Sequence, residues 1–143
     1  MSSISGGTDI VSCFVLGSTI LPVYRGELQT RGLGLSVEVW NELGESVTGE
    51  KGELVCTSTF PSKPIMFWSD KKMNKYKSSY FERYSNVWCH GDYVKLMESG
   101  GMIFYGRSDA TLNRDGVRIG TAEIYRQVEI LNEVLESVVV EQA

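Results

Sequence analysis

Gly106-Arg107-Ser108-Asp109, followed after Asn113 by Gly116-Val117-Arg118-Ile119-Gly120-Thr121-Ala122-Glu123-Ile124, is the stretch on which the reading of this chain turns. Asn113-Arg114-Asp115-Gly116 is a cluster of turn formers between short apolar runs and predicts a hairpin. Beyond it the period changes: Ile124, Val128, Leu131 and Leu135 recur at helical spacing, with Thr121 as the expected N-cap and Glu123 well placed in the first turn. Arg107 carries a rigid fork of donors suited to hydroxyl or phosphate oxygens, and Arg118 offers a second cation one hairpin away. Asp109 stands where the β pattern gives way to the helical one and is read as a hinge. The same spacing also describes a charged turn followed by a capped helix, and the residues alone leave both readings open.

Working upstream, Val87 to Met97 and Met102 to Tyr105 flank Glu98-Ser99-Gly100-Gly101 and predict a second hairpin. Residues 60–84 mix prolines, aromatics and lysines without strand period, which predicts a long loop carrying a short helix. Gly52 to Thr57 reads as a strand. Before it, Leu33, Leu35, Val37 and Val39 alternate with Gly34, Ser36 and Glu38, the period of a half-buried strand ending in a polar turn at Asn41 to Gly44. Downstream of the helix, Ser137 to Glu141 reads as an apolar strand. The fold class expected is therefore α+β. Residues 1–108 form a β-rich part, and residues 109–143 form the hinge and first half of a small α+β unit, too short to build an independent core.

At 143 residues the chain can bury one core, which excludes a large multidomain enzyme. The formal charge is −4, and basic residues are scattered apart from Lys71, Lys72, Lys75 and Lys77, read as a solvated face, so no nucleic-acid partner is expected. Cys13, Cys56 and Cys89 are widely spaced and odd in number, which fits reduced thiols in the cytosol better than a disulfide framework or zinc site. No basic leader precedes an apolar run, and no run reaches membrane-spanning length.

Two further constellations carry chemistry. In Ser5-Gly6-Gly7-Thr8-Asp9 the paired glycines permit close backbone approach, Thr8 can donate to a phosphate oxygen, and Asp9 can hold Mg²⁺, which prefers carboxylate and phosphate oxygens. A glycine turn capped by Thr or Asp gives the same letters for purely structural reasons. In His90-Gly91-Asp92, expected at the start of a strand, the carboxylate suits a ribose diol, though a surface aspartate would look the same. His90 is the single histidine and, lacking a recognisable partner, is read as structural.

Gly106 to Ile124 resembles the hinge motif of the adenylate-forming superfamily of acyl- and aryl-CoA synthetases, luciferases and nonribosomal adenylation domains. Ser5 to Asp9 is similar to its tyrosine-glycine-x-threonine-glutamate motif, and Gly91-Asp92 to its ribose-binding aspartate, in the same order and separation. Gly6-Gly7-Thr8-Asp9-Ile10 together with Gly106-Arg107-Ser108-Asp109-x-Thr111-Leu112-Asn113 resembles the branch of the superfamily that activates acetoacetate. Two departures from the general pattern stand out: Ser5 replaces an aromatic residue, and Asp9 replaces the usual glutamate. Relatives acting on acetate carry a tryptophan around the position of Gly6, so glycine there implies a roomier acyl pocket.

The resemblance implies the β-rich C-terminal part of the large AMP-binding domain followed by part of the small C-terminal domain. It implies ATP and coenzyme A as co-substrates, Mg²⁺ as metal and acetoacetate as the acid. Thr8 would meet the AMP phosphate and Asp9 the Mg²⁺, with Gly6 and Gly7 lining the nucleotide. Asp92 and Arg107 would take the ribose hydroxyls, Asp109 would be the pivot, and Gly116 and Arg118 would face coenzyme A. The superfamily's phosphate loop and late C-terminal lysine have no counterpart here, since no lysine follows Lys95, so this polypeptide alone is expected to lack full turnover. Another short- or medium-chain acyl-CoA synthetase, or a noncatalytic interaction form, would carry the same motifs.

Overall fold

The computed structural model describes residues 2–110, 112–114 and 117–140 and, within 112–118, the backbone alone. It is α+β, built from antiparallel sheet. β1 (Ser5–Gly7), β2 (Ser12–Leu16) and β3 (Thr30–Arg31) form one sheet, and β4 (Val37–Trp40), β5 (Lys51–Cys56), β6 (Trp88–Leu96) and β7 (Met102–Arg107) form a second in that order. α1 (Asn74–Tyr80) lies between β5 and β6. A single 3₁₀ turn (Ser108–Ala110) leads from β7 to the hairpin of β8 (Leu112–Arg114) and β9 (Val117–Ile119), and then to α2 (Thr121–Val128).

β5 is the buried centre of the four-stranded sheet: from Gly52 to Cys56 every residue is inaccessible. Leu54 and Cys56 join Val37, Val39, Trp88, Val94 and Met102 in the core, where Phe14 from β2 and Ile10 from the β1–β2 turn meet them. Phe14 binds the two sheets, with its ring edge-on to Phe60 at 5.6 Å and to His90 at 4.8 Å. A bridge between Leu28 and Met102 closes the joint from the other side. Burial of this kind stabilises by about 25 cal/mol per Å² of apolar surface.

α1 starts without a conventional cap. Asp70 takes over that role: its Oδ1 accepts from the Asn74 amide at 3.0 Å and its Oδ2 from the Tyr76 amide at 2.9 Å. Lys71, Lys72, Lys75 and Lys77 are solvated, as their clustering predicts.

Several expectations need correction. Leu33 is fully exposed and sits in a turn, because Gly34 takes φ of 77°; the strand begins at Val37. Thr121 is the first helical residue of α2, not its cap. Gly120 is the cap, and Glu123 reaches back to its amide at 3.1 Å. The helix stops at Val128, so Leu131 and Leu135, both exposed, fall outside it. Residues 137–140 pair with no strand; Glu141 lies outside the described residues. Asp92 sits within β6, not at its start. The sheet of β1 to β3 went unread in the sequence, because its glycine-rich first strand has no apolar alternation. No described helix is long and apolar enough to cross a membrane.

Candidate nucleotide site

Antiparallel register brings two of the motifs together. Asp92 on β6 is the cross-strand partner of Arg107 on β7, so residues 15 positions apart face each other. Arg107 Nη1 donates to the Asp92 carboxylate at 3.4 Å and to the His90 carbonyl at 2.9 Å, while its Nε donates to Asp109 at 3.4 Å. Burial works against the Arg107 charge, but the Asp109 and Asp92 carboxylates outweigh it and raise the guanidinium above its ordinary value. Its side chain is still 52% exposed, leaving donors for a ligand. Gly91 makes this approach possible: it takes φ of 82°, and a Cβ there would stand 2.6 Å from Arg107 Nη2.

The third motif arrives from the other sheet. Ser5 Oγ donates to Asp92 Oδ2 at 3.0 Å across 87 residues of sequence, so the residue that replaces the superfamily aromatic ties the two sheets at the site. Thr8 is exposed and available to an incoming phosphate. The Asp9 carboxylate lies over Gly7, where a Cβ would fall 2.1 Å from Oδ1. Its Oδ2 accepts from the Tyr80 phenol. That phenol is stacked on Trp88 at 3.7 Å, and burial first, then the hydrogen bond to Asp9, push its pKa well above the ordinary tyrosine value.

One carboxylate with a free oxygen fits Mg²⁺ in the way that ion is commonly held, by one or two carboxylates together with substrate phosphates. No group of three or more metal-ligating side chains gathers among the described residues, so the donor set does not form an all-protein cage.

His90 is buried, packed against Phe14 and 3.9 Å from Asp92, as a structural histidine should be. Burial holds it below the ordinary imidazole range, against the pull of Asp92. Asp109 is exposed in the 3₁₀ turn that follows Arg107. Gly116 lies outside the described residues, and of Arg118 only the backbone position in β9 is described.

Gly6 departs from the simple volume argument. A Cβ there would stand 2.2 Å from the Ser12 carbonyl and 2.7 Å from Cys13 Cα, so glycine is demanded by the backbone of the β1–β2 hairpin. A cavity of about 730 Å³ nevertheless opens beside it, lined by Ile4 to Thr8, Val11 to Cys13, Leu28 and Phe104.

Three contacts escaped sequence reading. Tyr80 sits four residues after Tyr76, a helical spacing that was visible without any sign of a partner. Arg83 pairs with the fully buried Glu53. Lys51 Nζ donates to Glu123 at 2.8 Å and lies 4.2 Å from the centre of the Tyr105 ring, which holds α2 against the sheet.

No protein-family model matches the chain. It is 61% identical over 142 residues to acetoacetyl-coenzyme A synthetase from Rhizobium meliloti, a match that covers 99% of this chain and 22% of that protein. Acetoacetyl-CoA synthetase from Streptomyces lividans superposes with a TM-score of 0.92 at 49% identity, over 97% of this chain and 21% of that one. An anthranilate CoA ligase solved with anthranoyl-AMP superposes at 0.69 and 18% identity, over 86% of this chain and 22% of that one, a likeness of fold. The chain thus spans about a fifth of the length of the relatives it matches. Over that stretch, the chain is similar in both sequence and backbone to the acetoacetyl-CoA synthetases.

Proposed function

We propose that this chain is a segment of an ATP-dependent acid–thiol ligase that activates acetoacetate as an acyl-adenylate and transfers the acyl group to coenzyme A. The observation that carries the reading is the convergence of Ser5 to Asp9, Asp92 and Arg107, joined by the 3.0 Å Ser5–Asp92 bond and the 3.4 Å Asp92–Arg107 bond.

In this reading, Asp92 accepts from the ribose hydroxyls while Arg107 donates to them, and the Ser5 and Arg107 bonds keep the Asp92 carboxylate oriented before the nucleotide arrives. Thr8 donates to the AMP phosphate. Asp9 holds Mg²⁺, which supplies positive charge at the phosphate oxygens. The carboxylate of acetoacetate attacks the α-phosphorus and pyrophosphate leaves; the coenzyme A thiol then attacks the acyl carbon and AMP leaves. The chain's part in both steps is placement of charged oxygens by fixed donors.

Residues 1–108 would belong to the large nucleotide-binding domain and 109–143 to the hinge and small domain, turning at Asp109 between half-reactions so that Gly116 and Arg118 meet coenzyme A. The thiols of Cys13, Cys56 and Cys89 are all free, in keeping with the cytosol as the place of action.

Calorimetry of this chain with an acetoacetyl-adenylate mimic and Mg²⁺ tests the reading. Asp92→Ala and Arg107→Ala should each weaken binding by about tenfold or more, the worth of a hydrogen bond to a charged group. Equal binding by native chain and both variants would overturn the assignment of the ribose site. Acid preference is read on a full-length protein with a panel of acids, acetoacetate against acetate. Gly6→Trp is a poor probe of it, since the hairpin backbone would have to move.

A further inference from the structure

We propose that Tyr80 is a positioning residue for Asp9: its phenol fixes the carboxylate on the phosphate side of the site and sets the length of carboxylate that position 9 accepts. The inference rests on the reading that Asp9 meets a divalent cation beside the nucleotide, and goes beyond it in naming what holds Asp9 and why an aspartate stands there.

Tyr80 and Asp9 are 71 residues apart in sequence, and the phenol donates to Oδ2. The phenol's place is set independently of Asp9. Its ring lies nearly parallel to Trp88, at 14° and 3.7 Å, and Trp88 is itself buried in the core. The helix that ends at Tyr80 is anchored at its start by the two Asp70 bonds and by the Tyr76 hydroxyl, which donates to the Pro64 carbonyl at 2.6 Å. A fixed donor therefore meets a carboxylate whose other oxygen lies close over Gly7, 2.1 Å from where a Cβ would stand.

Between the phenol and the glycine there is room for a short side chain. Glutamate, one methylene longer, would carry its carboxylate past the phenol. An acceptor held at one oxygen presents the other in a single direction, and outer partners of this kind commonly govern metal affinity.

The test is a titration of the 143-residue chain with Mn²⁺ in the presence of ATP, read by paramagnetic broadening of the amide resonances of residues 7–9. Thermal melting serves as the fold control. Native chain should show broadening that Asp9→Asn abolishes. Tyr80→Phe, which keeps the ring on Trp88, should weaken Mn²⁺ affinity about tenfold with melting unchanged. Asp9→Glu should weaken it in the native background and cost much less in the Tyr80→Phe background, since the two sites are coupled.

Unchanged Mn²⁺ affinity in Tyr80→Phe, or equal affinity of Asp9→Glu and native chain, would overturn the role of Tyr80 while leaving Asp9 as a cation ligand. Absence of any Asp9-dependent broadening in native chain would overturn both. Should Tyr80→Phe unfold the chain, Asp9→Glu, which leaves the Tyr80–Trp88 stack in place, decides the matter.

Discussion

At the residue scale, two positions at the site make separable demands. His90 is 7% exposed and its folded pKa lies below its ordinary value, so the folded chain binds fewer protons there than the unfolded one. Stability from this group is complete above the unfolded value of about 6.5 and is lost as pH falls below it. Melting temperatures between pH 8 and 5.5 should therefore fall toward acid, and His90→Gln should flatten that slope even if it lowers the plateau. Asp92, Asp9 and Arg107 surround the ring and set the balance, with only Arg107 reinforcing burial. Gly91 makes a different demand. In Gly91→Ala the methyl meets Arg107 Nη2, and the left-handed backbone adds about 1 kcal/mol of strain. Arg107 should be displaced, so nucleotide-mimic affinity should fall more than the melting temperature implies.

At the element scale, α1 is short and unsupported by its own cap, so its place depends on Asp70. Asp70→Ala should cost about 1 kcal/mol, typical of a lost cap, and more because the carboxylate is largely buried. Urea denaturation measures the loss. Since Tyr80 closes that helix, the same variant should also loosen Asp9, a consequence read as weaker Mn²⁺ binding. A variant that lost stability without any change at residues 7–9 would show that α1 and the hairpin are independent. α2 illustrates the opposite arrangement: none of its residues is buried, and it is held by Lys51–Glu123 at 2.8 Å and by Arg126 Nη2, which donates to the Phe104 carbonyl at 3.2 Å. Partly exposed pairs of this kind are worth about 1 kcal/mol or less, so α2 is held only weakly.

At the scale of the whole molecule, the site exists because two sheets dock. Phe14 is the residue at that joint, through its contacts with Phe60 and His90. Phe14→Ala should cost about 3–5 kcal/mol, the usual loss for a buried phenylalanine. It should also separate Ser5 from Asp92, so that nucleotide binding is lost at temperatures where the four-stranded sheet is still protected from hydrogen exchange. Simultaneous loss of both sheets would show a single cooperative unit instead.

What could be read from sequence was local chemistry and local period. The β6–β7 hairpin, the turn at Asn41 to Gly44 and the loop with a short helix follow from residue types at fixed spacing, whereas the motifs around Asp9, Asp92 and Arg107 stood out only through their resemblance to a known family. The misreadings arose where apolar residues kept a helical or strand period without burial to support it, as at Leu33, Leu131 and Leu135. Only the tertiary structure decided that Ser5 reaches Asp92, that Tyr80 holds Asp9, that Arg83 pairs with the buried Glu53, and that Gly6 answers to the Ser12 carbonyl. Contacts between residues distant in sequence leave no periodic trace: they arise when sheets dock and a capped helix is laid across them, and burial then selects which polar groups must find partners.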